Sequence, residues 1–472
     1  MTGSFDLASL RRRIATAPDE QGLNPIGLEQ ALVGDGALEA LPDVVARLAA
    51  AENRSGPVAI VSDRTPKRYR SGDLLEFVTK SVASVVGARG VFVGAGGHNA
   101  HADEQTLSTA TKDCAGASCI VAVGSGTVAD IGKVLAATHG LPYVIVQSAN
   151  SVNGYADDRS VLLVNGVKRT LPSTWANVLI VDTDVLVDAP VEMNAAGLAD
   201  LIAMFTAPAD WYLANLLGMD DTYSPTVVAL AREQGPALFE AACLVPKADR
   251  AALSQIAATL TLSGISMGIA GTTAPCSGME HAVSHLLEMA AIRAGDEPSL
   301  HGFQVGVSSI VAALLWREVL QEIADDGLAH LVEPDAVASE KAVRSAFLAV
   351  DPGGDMAAEC WRDYERKLSR WARAGERVEL AARQWSSHER AIGHLLAGAN
   401  SIVEALRSAG APVSFSELAS PIETEAVHWA VASCHLMRER FSVADLACLL
   451  GIWDEARVDR LVNEAAVLGS VS

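Results

Sequence analysis

Three segments that lie far apart in the chain carry side chains that could bind one divalent metal. Asp200 stands in an apolar, Ala/Leu-rich stretch, His281 and His285 are four residues apart, and His301 opens another apolar stretch. A carboxylate in an apolar helix is costly unless it has a partner. Two imidazoles and one carboxylate would leave a coordination position open, as catalytic sites require. Spacing alone also permits a structural role for each histidine.

A glycine-rich turn upstream of these segments could bind a diphosphate. It follows the apolar run Cys119–Val123 and leads into a helical pattern, so its backbone N–H groups and the helix dipole would face an anion. The spacing is not GxGxxG, and such turns also serve plain packing. Asp130 would favour the helix N-terminus, or form a solvated pair with Lys133. The candidate cofactor-binding residues here are Gly124, Ser125, Gly126, Thr127, Val128 and Asp130.

Asp63 is a further candidate cofactor-binding residue because it follows the first predicted strand. A carboxylate at this position could accept hydrogen bonds from an adenosine ribose and would repel a 2′-phosphate. Arg64, Lys67 and Arg68 crowd the same loop and could do the opposite. The choice between NAD and NADP therefore stays open, and so does the alternative of a charged surface loop.

The elements that would position these residues change character along the chain. Between about residues 57 and 182, short apolar runs alternate with helical stretches, which predicts βαβ units and a parallel sheet covered on both faces. Asn165-Gly166 between two strand-like runs predicts a hairpin. The predicted strands are Pro57–Val61, Gly90–Gly94, Cys119–Gly124, Tyr143–Val146, Ser160–Val164, Val167–Leu171 and Asn177–Val181.

After Ala189-Pro190 the pattern becomes helical, with apolar residues three and four apart over Met193–Leu217 and Ser254–Met267. The expected organisation is a polar, loosely packed N-terminal arm over residues 1–35, an α/β nucleotide-binding domain over 36–188 and a helical metal-binding domain over 189–472.

Composition restricts the class of protein. The chain has 472 residues, half of them hydrophobic, which is enough for a large core and normally for two domains. Seven scattered cysteines without a CxxC pair argue against disulfides and a thiolate zinc site. A formal charge of −21 opposes nucleic-acid binding, so an anionic substrate would need a local cationic pocket. Without a basic leader or a long apolar run, we expect a cytoplasmic protein with no membrane span.

These residues, together with further segments in a common order, resemble the superfamily of iron-containing alcohol dehydrogenases and dehydroquinate synthases. Within it the sequence is most similar to glycerol-1-phosphate dehydrogenases, including their bacterial AraM-type members. The resemblance implies a Rossmann-like parallel sheet followed by an all-α domain. The further segments are Val146–Tyr155, Lys168–Pro172, Ala195–Asp200, Ser277–His285, His301–Gly306 and Arg438–Asp445.

The resemblance also implies roles for individual residues. Asp200, His281 and His301 match metal ligands, with Asp200 also next to the substrate, and His285 matches a catalytic histidine that faces the substrate. Ser148 and Ser151, with the glycine turn, match positions that contact the dinucleotide. The implied reaction is reduction of dihydroxyacetone phosphate to sn-glycerol 1-phosphate by NADH or NADPH, with zinc, nickel or iron as the metal, in a homodimer.

Two departures from the family pattern concern the substrate and the cofactor. Asn153 stands where the family has a catalytic, substrate-binding aspartate, and Asp157 stands where it has a small hydroxyl residue at the cofactor. Gln147 and Asn150 replace prolines in the same loop. Asn cannot carry negative charge or act as a base. We therefore expect a substrate that has changed, with Lys168 as a candidate for binding its phosphate or, equally, as an exposed charge.

Two other functions stay open. A sugar-phosphate lyase of the dehydroquinate synthase type would use NAD only transiently and would show no net NADH consumption. A homologue that binds the cofactor but has lost turnover through Asn153 and Asp157 would catalyse neither reaction.

Overall fold

The computed structural model describes residues 3–19, 22–51, 55–94, 100–164, 166–328, 331–419 and 422–470. The chain forms two compact units that are interleaved in sequence. The first comprises Met1–Val164, Lys168–Leu198 and Ala229–Gly271, and the second comprises Asn165–Val167, Ala199–Val228 and Thr272–Ser472. The expected domain boundary near residue 188 stays a prediction. The segment Ala229–Gly271, which follows that boundary in the sequence, belongs to the first unit.

A seven-stranded sheet organises the first unit, in the order β1-β2-β11-β8-β7-β3-β6. Neighbouring strands run parallel except β1, which is antiparallel to β2. Two further pairs, β4-β5 and β9-β10, form small sheets of their own. The strands are β1 Gly3–Ser4, β2 Gln30–Gly34, β3 Val58–Ser62, β4 Arg68–Tyr69, β5 Gly72–Asp73, β6 Ala88–Phe92, β7 Cys119–Gly124, β8 Tyr143–Gln147, β9 Arg159–Val164, β10 Val167–Pro172 and β11 Val178–Asp182.

Helices alternate with the strands of this sheet along the chain. After Asp188, the elements formed by the described residues are all helices. The α-helices are α1 Leu7–Ala15, α2 Leu41–Ala51, α3 Leu74–Ala83, α4 Glu104–Asp113, α5 Gly126–His139, α6 Thr183–Asp188, α7 Val191–Leu201, α8 Ala207–Leu216, α9 Pro225–Ala231, α10 Gly235–Ala242, α11 Arg250–Ala270, α12 Met279–Ala294, α13 His301–Asp326, α14 Ala336–Leu348, α15 Asp355–Trp371, α16 Gly375–Arg383, α17 Trp385–Leu395, α18 Ala399–Ser408, α19 Thr424–Ser433, α20 Val443–Leu449 and α21 Glu455–Ser470.

The predicted α/β architecture is confirmed, and its central strands have the burial that a doubly covered parallel sheet requires. Every residue of β3, β7, β8 and β11 is buried. Their side chains pack into one core with helices α2 and α3, through residues such as Val45 and Val78. Burying each aliphatic side chain contributes about 1.5–3 kcal/mol, so this core fixes the strand ends that carry the candidate cofactor residues.

Two elements differ from the sequence-based expectation. β2 joins the parallel sheet, and Leu7, Leu10 and Ile14 of α1 are buried, so the N-terminal segment is more ordered than an arm would be. The helical stretch predicted over Met193–Leu217 is broken into α7, a 3-10 turn at Ile202–Phe205 and α8. Pro208 explains the break, because proline lacks an N–H and fits only the first turn of a helix.

The predicted hairpin is present as β9 and β10, with Gly166 at a φ of 77° in the connection, while Asn165 lies outside the described residues. Two helices, α11 and α13, are long and apolar enough to cross a membrane, and 83% of the apolar window of each is buried inside the protein. Core helices of folded domains have the same properties.

Candidate functional site

The start of α12 carries His281, and a buried carboxylate holds that start in place. Oδ2 of Asp210 accepts a hydrogen bond from the backbone N–H of Met279 at 2.8 Å. Its Oδ1 accepts from the indole of Trp316 at 3.1 Å and from the backbone N–H of Val443 at 3.0 Å. Gly278 is required beside this carboxylate, since a Cβ there would lie 2.6 Å from Oδ2 of Asp210. Asp210 therefore joins the first turn of α12 to α13 and to the start of α20.

Asp200, His281 and His301 converge in the second unit, as the sequence predicted. Oδ1 of Asp200 lies 3.4 Å from Nε2 of His281 and 3.8 Å from Nε2 of His301. The three potential ligand atoms all lie within 4.8 Å of one another. Nitrogen and oxygen donors at such separations can surround one divalent cation at bond lengths of about 2.0–2.2 Å.

Two glutamates orient these imidazoles, and neither was singled out from the sequence. Nδ1 of His281 lies 3.0 Å from Oε1 of Glu280, and Nδ1 of His301 lies 3.2 Å from Oε1 of Glu288. An ionised carboxylate only accepts hydrogen bonds, so each Nδ1 carries the proton and each Nε2 presents its lone pair. Carboxylate–histidine pairs of this kind fix the tautomer of metal-binding histidines. The residues present therefore fit a metal.

The same carboxylates give the cluster a negative field. Although burial opposes a charge on the imidazole, Asp200 and Glu280 raise the pKa of His281 to about 9. Burial also opposes ionisation of Glu280, but hydrogen bonds from His281 and from the backbone N–H of Gly278 lower the pKa of its carboxyl group. A field that holds a proton on His281 would also favour a divalent cation in its place.

His285 lies beside this cluster, with its ring centroid 5.3 Å from that of His301. Nη2 of Arg438, in the segment between α19 and α20, is in hydrogen-bond contact with Nδ1 of His285. A guanidinium only donates, so Nδ1 is the acceptor and neutral His285 carries its proton on Nε2. His285, Glu288 and His301 also form a second group whose ligand atoms lie within 4.8 Å of one another.

The glycine turn lies in the first unit, at the junction of β7 and α5. A Cβ on Gly124 would lie 2.5 Å from Cβ of Val128, and one on Gly126 would lie 2.7 Å from Val152. Both glycines thus allow neighbouring side chains to pack closely, which also supports a purely structural role for this turn. Ser125 is the N-cap of α5 and Thr127 lies in its first turn.

Ser148 is brought next to this turn, whereas Ser151 turns into the protein. The backbone N–H of Ser148 donates to the carbonyl of Gly124 at 3.0 Å, since β8 pairs with β7. The Ser151 hydroxyl lies 2.8 Å from the hydroxyl of Tyr155. Cofactor contacts of these two residues stay predictions.

Asp157 pairs with Lys133, whereas the sequence alone predicts Lys133 as a solvated neighbour of Asp130. The Lys133 side chain is fully buried, and its Nζ contacts the carboxylate of Asp157 and donates to the carbonyls of Gly154 and Arg159, each at 2.7 Å. Oδ1 of Asp130 lies 3.9 Å from the same Nζ. Burial raises the pKa of Asp130 to about 7, against the effect of Lys133. The charge of Asp157 is therefore balanced inside the protein.

Hydrogen bonds also hold the rest of this loop, over residues 147–153. Nε2 of Gln147 donates to Oδ1 of Asn150 at 2.9 Å, and Nδ2 of Asn150 donates to the carbonyl of Leu253 at 3.0 Å. Nδ2 of Asn153 lies 3.2 Å from the hydroxyl of Ser263 on α11. The departures at Gln147 and Asn150 thus have structural partners within the first unit.

Asp63 follows β3 as predicted, but its neighbouring cations are engaged. Nζ of Lys67 contacts the carboxylate of Asp63, and the guanidinium of Arg64 lies 4.7 Å from the ring centre of Phe92. Lys168 lies on β10, close enough to Asp130 to lower its pKa slightly. The roles of Asp63 and Lys168 stay predictions.

The comparisons with known proteins agree with this geometry. The sequence pattern of the family described as iron-containing alcohol dehydrogenase matches residues 32–190. A glycerol-1-phosphate dehydrogenase (NAD(P)+) from Bacillus licheniformis is 29% identical over 428 residues, which cover 89% of this chain and 88% of that protein. One of the same name from Bacillus velezensis is 32% identical over 221 residues, which cover 47% of this chain and only 56% of that protein.

Solved structures give the same fold. A probable glycerol dehydrogenase from Sinorhizobium meliloti aligns with a TM-score of 0.58 at 17% identity, covering 95% of this chain and all of that one. A maleylacetate reductase from Agrobacterium tumefaciens aligns with a TM-score of 0.57 at 16% identity, covering 94% and 97%.

The fold is that of these solved structures, and residues 32–190 are similar to the iron-containing alcohol dehydrogenase family. The relatives named above are glycerol-1-phosphate dehydrogenases (NAD(P)+), in agreement with the resemblance identified from the sequence.

Proposed function

We propose that this protein is a metal-dependent NAD(P)H dehydrogenase that interconverts dihydroxyacetone phosphate and sn-glycerol 1-phosphate, or a closely related phosphorylated polyol, as a cytoplasmic homodimer. The observation that carries the proposal is the convergence of Asp200, His281 and His301, with each imidazole oriented by a glutamate. The names of the relatives supply the substrate class and the coenzymes.

Each side chain of the cluster has a distinct task in this scheme. Asp200, His281 and His301 would hold zinc, nickel or iron, a Lewis acid that polarises a carbonyl group and stabilises the developing alkoxide. Glu280 and Glu288 keep both Nε2 lone pairs directed at the cation.

His285 supplies the proton in the direction of ketone reduction. Because Arg438 occupies Nδ1, the transferable proton of neutral His285 is on Nε2. A proton passed from Nε2, and replaced from water, would protonate the carbonyl oxygen of the substrate as it is reduced. The nicotinamide, when bound, would supply the hydride for the substrate carbon.

In the first unit, the glycine turn and Ser148 are the proposed dinucleotide contacts, since they cluster at the carboxyl ends of β7 and β8. Ligands in parallel α/β sheets bind at this edge. The carboxylate of Asp157 is paired with Lys133, and its contact with the cofactor stays a prediction.

Asn153 favours a second candidate, a dehydrogenase of the same kind with a changed substrate. An amide at this position cannot take a proton, and its Nδ2 lies beside Ser263. This candidate keeps the metal and the hydride chemistry and differs only in the carbonyl compound that is reduced.

The test is the oxidation of NADH and NADPH by dihydroxyacetone phosphate, followed by the absorbance of the reduced nicotinamide. The protein is loaded separately with zinc, nickel or iron and compared with chelator-treated protein. Metal-dependent oxidation is expected in wild type and in His428→Ala, a matched control in which a histidine paired with Asp459 is lost. Exchange of substrate hydrogen without net NADH consumption would indicate the lyase, and binding without either reaction would contradict catalysis.

A further inference from the structure

We propose that Arg438 binds the anionic group of the substrate, a phosphate ester attached next to the carbinol or carbonyl carbon. This inference rests on the proposed function. A chain with a net charge of −21 needs a local positive charge to bind a phosphorylated substrate. Arg438 would supply that charge.

The position of Arg438 is set by the histidine that faces the substrate. Its Nη2 contacts Nδ1 of His285, and the His285 ring lies 5.3 Å from the ring of His301. In dihydroxyacetone phosphate one methylene and one ester oxygen separate the phosphorus from the carbonyl carbon. A substrate whose carbonyl group lay beside Asp200, His281 and His301 would therefore have its phosphate within reach of groups that surround His285.

Charge makes a cation necessary at this position. Asp200, Glu280 and Glu288 contribute three carboxylates to the cluster, through their contacts with His281 and His301. A bound divalent cation offsets two of these charges, so a dianionic phosphate would still meet a negative field. A guanidinium beside His285 offsets the negative charge that remains.

Other cations of the second unit are engaged in holding its architecture. Arg440 donates to the carbonyl of Ser277 and, at 2.7 Å, to the hydroxyl of Thr273. Lys367 donates to the carbonyl of His435 at 2.6 Å and to Asp445 at 2.7 Å. Arg438 differs from both because the partner that positions it is itself a proposed catalytic side chain.

The chemistry of the guanidinium suits this ligand. Arginine presents five N–H donors in a planar fork and binds phosphate through two parallel hydrogen bonds. Lysine offers a point charge without this geometry. The contact with His285 limits the orientations of the fork before the substrate arrives, which lowers the entropic cost of binding.

The experiment compares Arg438→Met and Arg438→Lys with wild type in two measurements. The first is the binding of inorganic phosphate and of sn-glycerol 1-phosphate to metal-loaded protein by calorimetry, which needs no turnover. The second is the ratio of kcat/KM for dihydroxyacetone phosphate to that for dihydroxyacetone. Lys168→Met tests the competing cation, and Arg344→Met is the control, since Arg344 is an exposed residue paired with Glu340.

We expect Arg438→Met to weaken phosphate binding roughly ten- to hundred-fold and to lower the substrate ratio by a similar factor, with partial recovery in Arg438→Lys. Any effect through His285 changes kcat for both substrates and cancels in the ratio. If wild type binds phosphate through Arg438 but does not turn over dihydroxyacetone phosphate, the proposed function fails and the anion site stands. Unchanged phosphate binding in Arg438→Met, loss only in Lys168→Met, or no phosphate binding by wild type would overturn the inference.

Discussion

The buried pair of Lys133 and Asp157 should stabilise the loop that carries Ser148, Ser151 and Asn153. The Lys133 side chain is fully buried and that of Asp157 is 3% exposed. We predict that Asp157→Asn, which preserves the shape of the side chain, destabilises the first unit, because it leaves an ammonium group in the interior without its main counter-ion.

The magnitude follows from the neighbours that remain. Removing one partner of a buried ion pair costs about 3–5 kcal/mol. The carbonyls of Gly154 and Arg159 still accept hydrogen bonds from Nζ, and Asp130 is 3.9 Å away. The cost should therefore lie near the lower limit, at about 3 kcal/mol. Lys133→Met removes the donor to two carbonyls as well and should cost about 4 kcal/mol.

The assay is urea unfolding of the single variants and of Lys133→Met/Asp157→Asn, followed by circular dichroism. The double variant should be more stable than the sum of the single effects predicts, with a coupling of about 2 kcal/mol. The matched control is Lys80→Met in the same unit. Lys80 and Glu76 form an exposed pair, and such pairs contribute less than about 1 kcal/mol.

Additive effects, or a cost for Asp157→Asn no larger than that of Lys80→Met, would refute the assignment of a stabilising pair. If the stability falls as expected but KM for the coenzyme is unchanged in the folded variants, then the pair stabilises the fold without positioning the cofactor residues.

Four further predictions concern single side chains. His281→Ala should lose metal retention and turnover together, as measured by metal content and NADH oxidation, whereas a metal-free variant with full activity would contradict the ligand assignment. Glu288→Gln should bind zinc about 10- to 100-fold more weakly, as a competitive chelator titration would show; equal affinity would remove the orienting role. Asn153→Asp should change the ranking of substrates by kcat/KM more than it changes the urea midpoint, and an unchanged ranking would dismiss Asn153 as a determinant. Asp130 has a folded-state pKa of about 7, above its ordinary value of 3.8, because of burial. The stability that its protonated form contributes is present at low pH and is lost as pH rises toward 7. The free energy of unfolding of Asp130→Asn should therefore rise relative to that of wild type by up to about 1.4 kcal/mol per pH unit between about pH 4 and pH 7. Parallel profiles of unfolding free energy against pH would contradict this.

The sequence predicted those strands in which a run of β-branched and apolar residues is also buried in the structure. β7 and β8 are runs of β-branched and apolar residues, buried at every position, and the prediction for β7 was correct at both ends. β2 was missed because Gln30–Gly34 has one buried residue and no alternation, so its place in the sheet depends on pairing with β11. Pairing between distant segments has no local signature.

The ligands of the candidate metal site could be predicted from the sequence, but the side chains that orient those ligands could not. Asp200, His281 and His301 are rare residue types in apolar helices, which made them visible. Glu280 precedes His281 and Glu288 lies three residues after His285 in the helical period of α12, yet both side chains are buried. Nothing in that period distinguishes a glutamate that orients an imidazole from one in solvent. The role of Arg438 is still harder to predict from the sequence, because its contact with His285 joins residues 153 positions apart.

Three of the departures from the family pattern have partners within the first unit. Gln147 and Asn150 bind each other and the carbonyl of Leu253, and the charge of Asp157 is balanced by Lys133. These contacts hold the loop by other means than proline.

Asn153 has a different environment. Its Nδ2 lies beside the hydroxyl of Ser263, which can donate as readily as it accepts and could therefore also donate to an aspartate. A substrate contact of Asn153 stays a prediction. In that contact an amide N–H would bind an acceptor on the substrate, whereas a carboxylate would select a donor. Comparing a hydroxyl with a carbonyl or carboxylate at the corresponding substrate carbon would test this directly, because the amide tolerates both and the Asn153→Asp variant would discriminate against the acceptor.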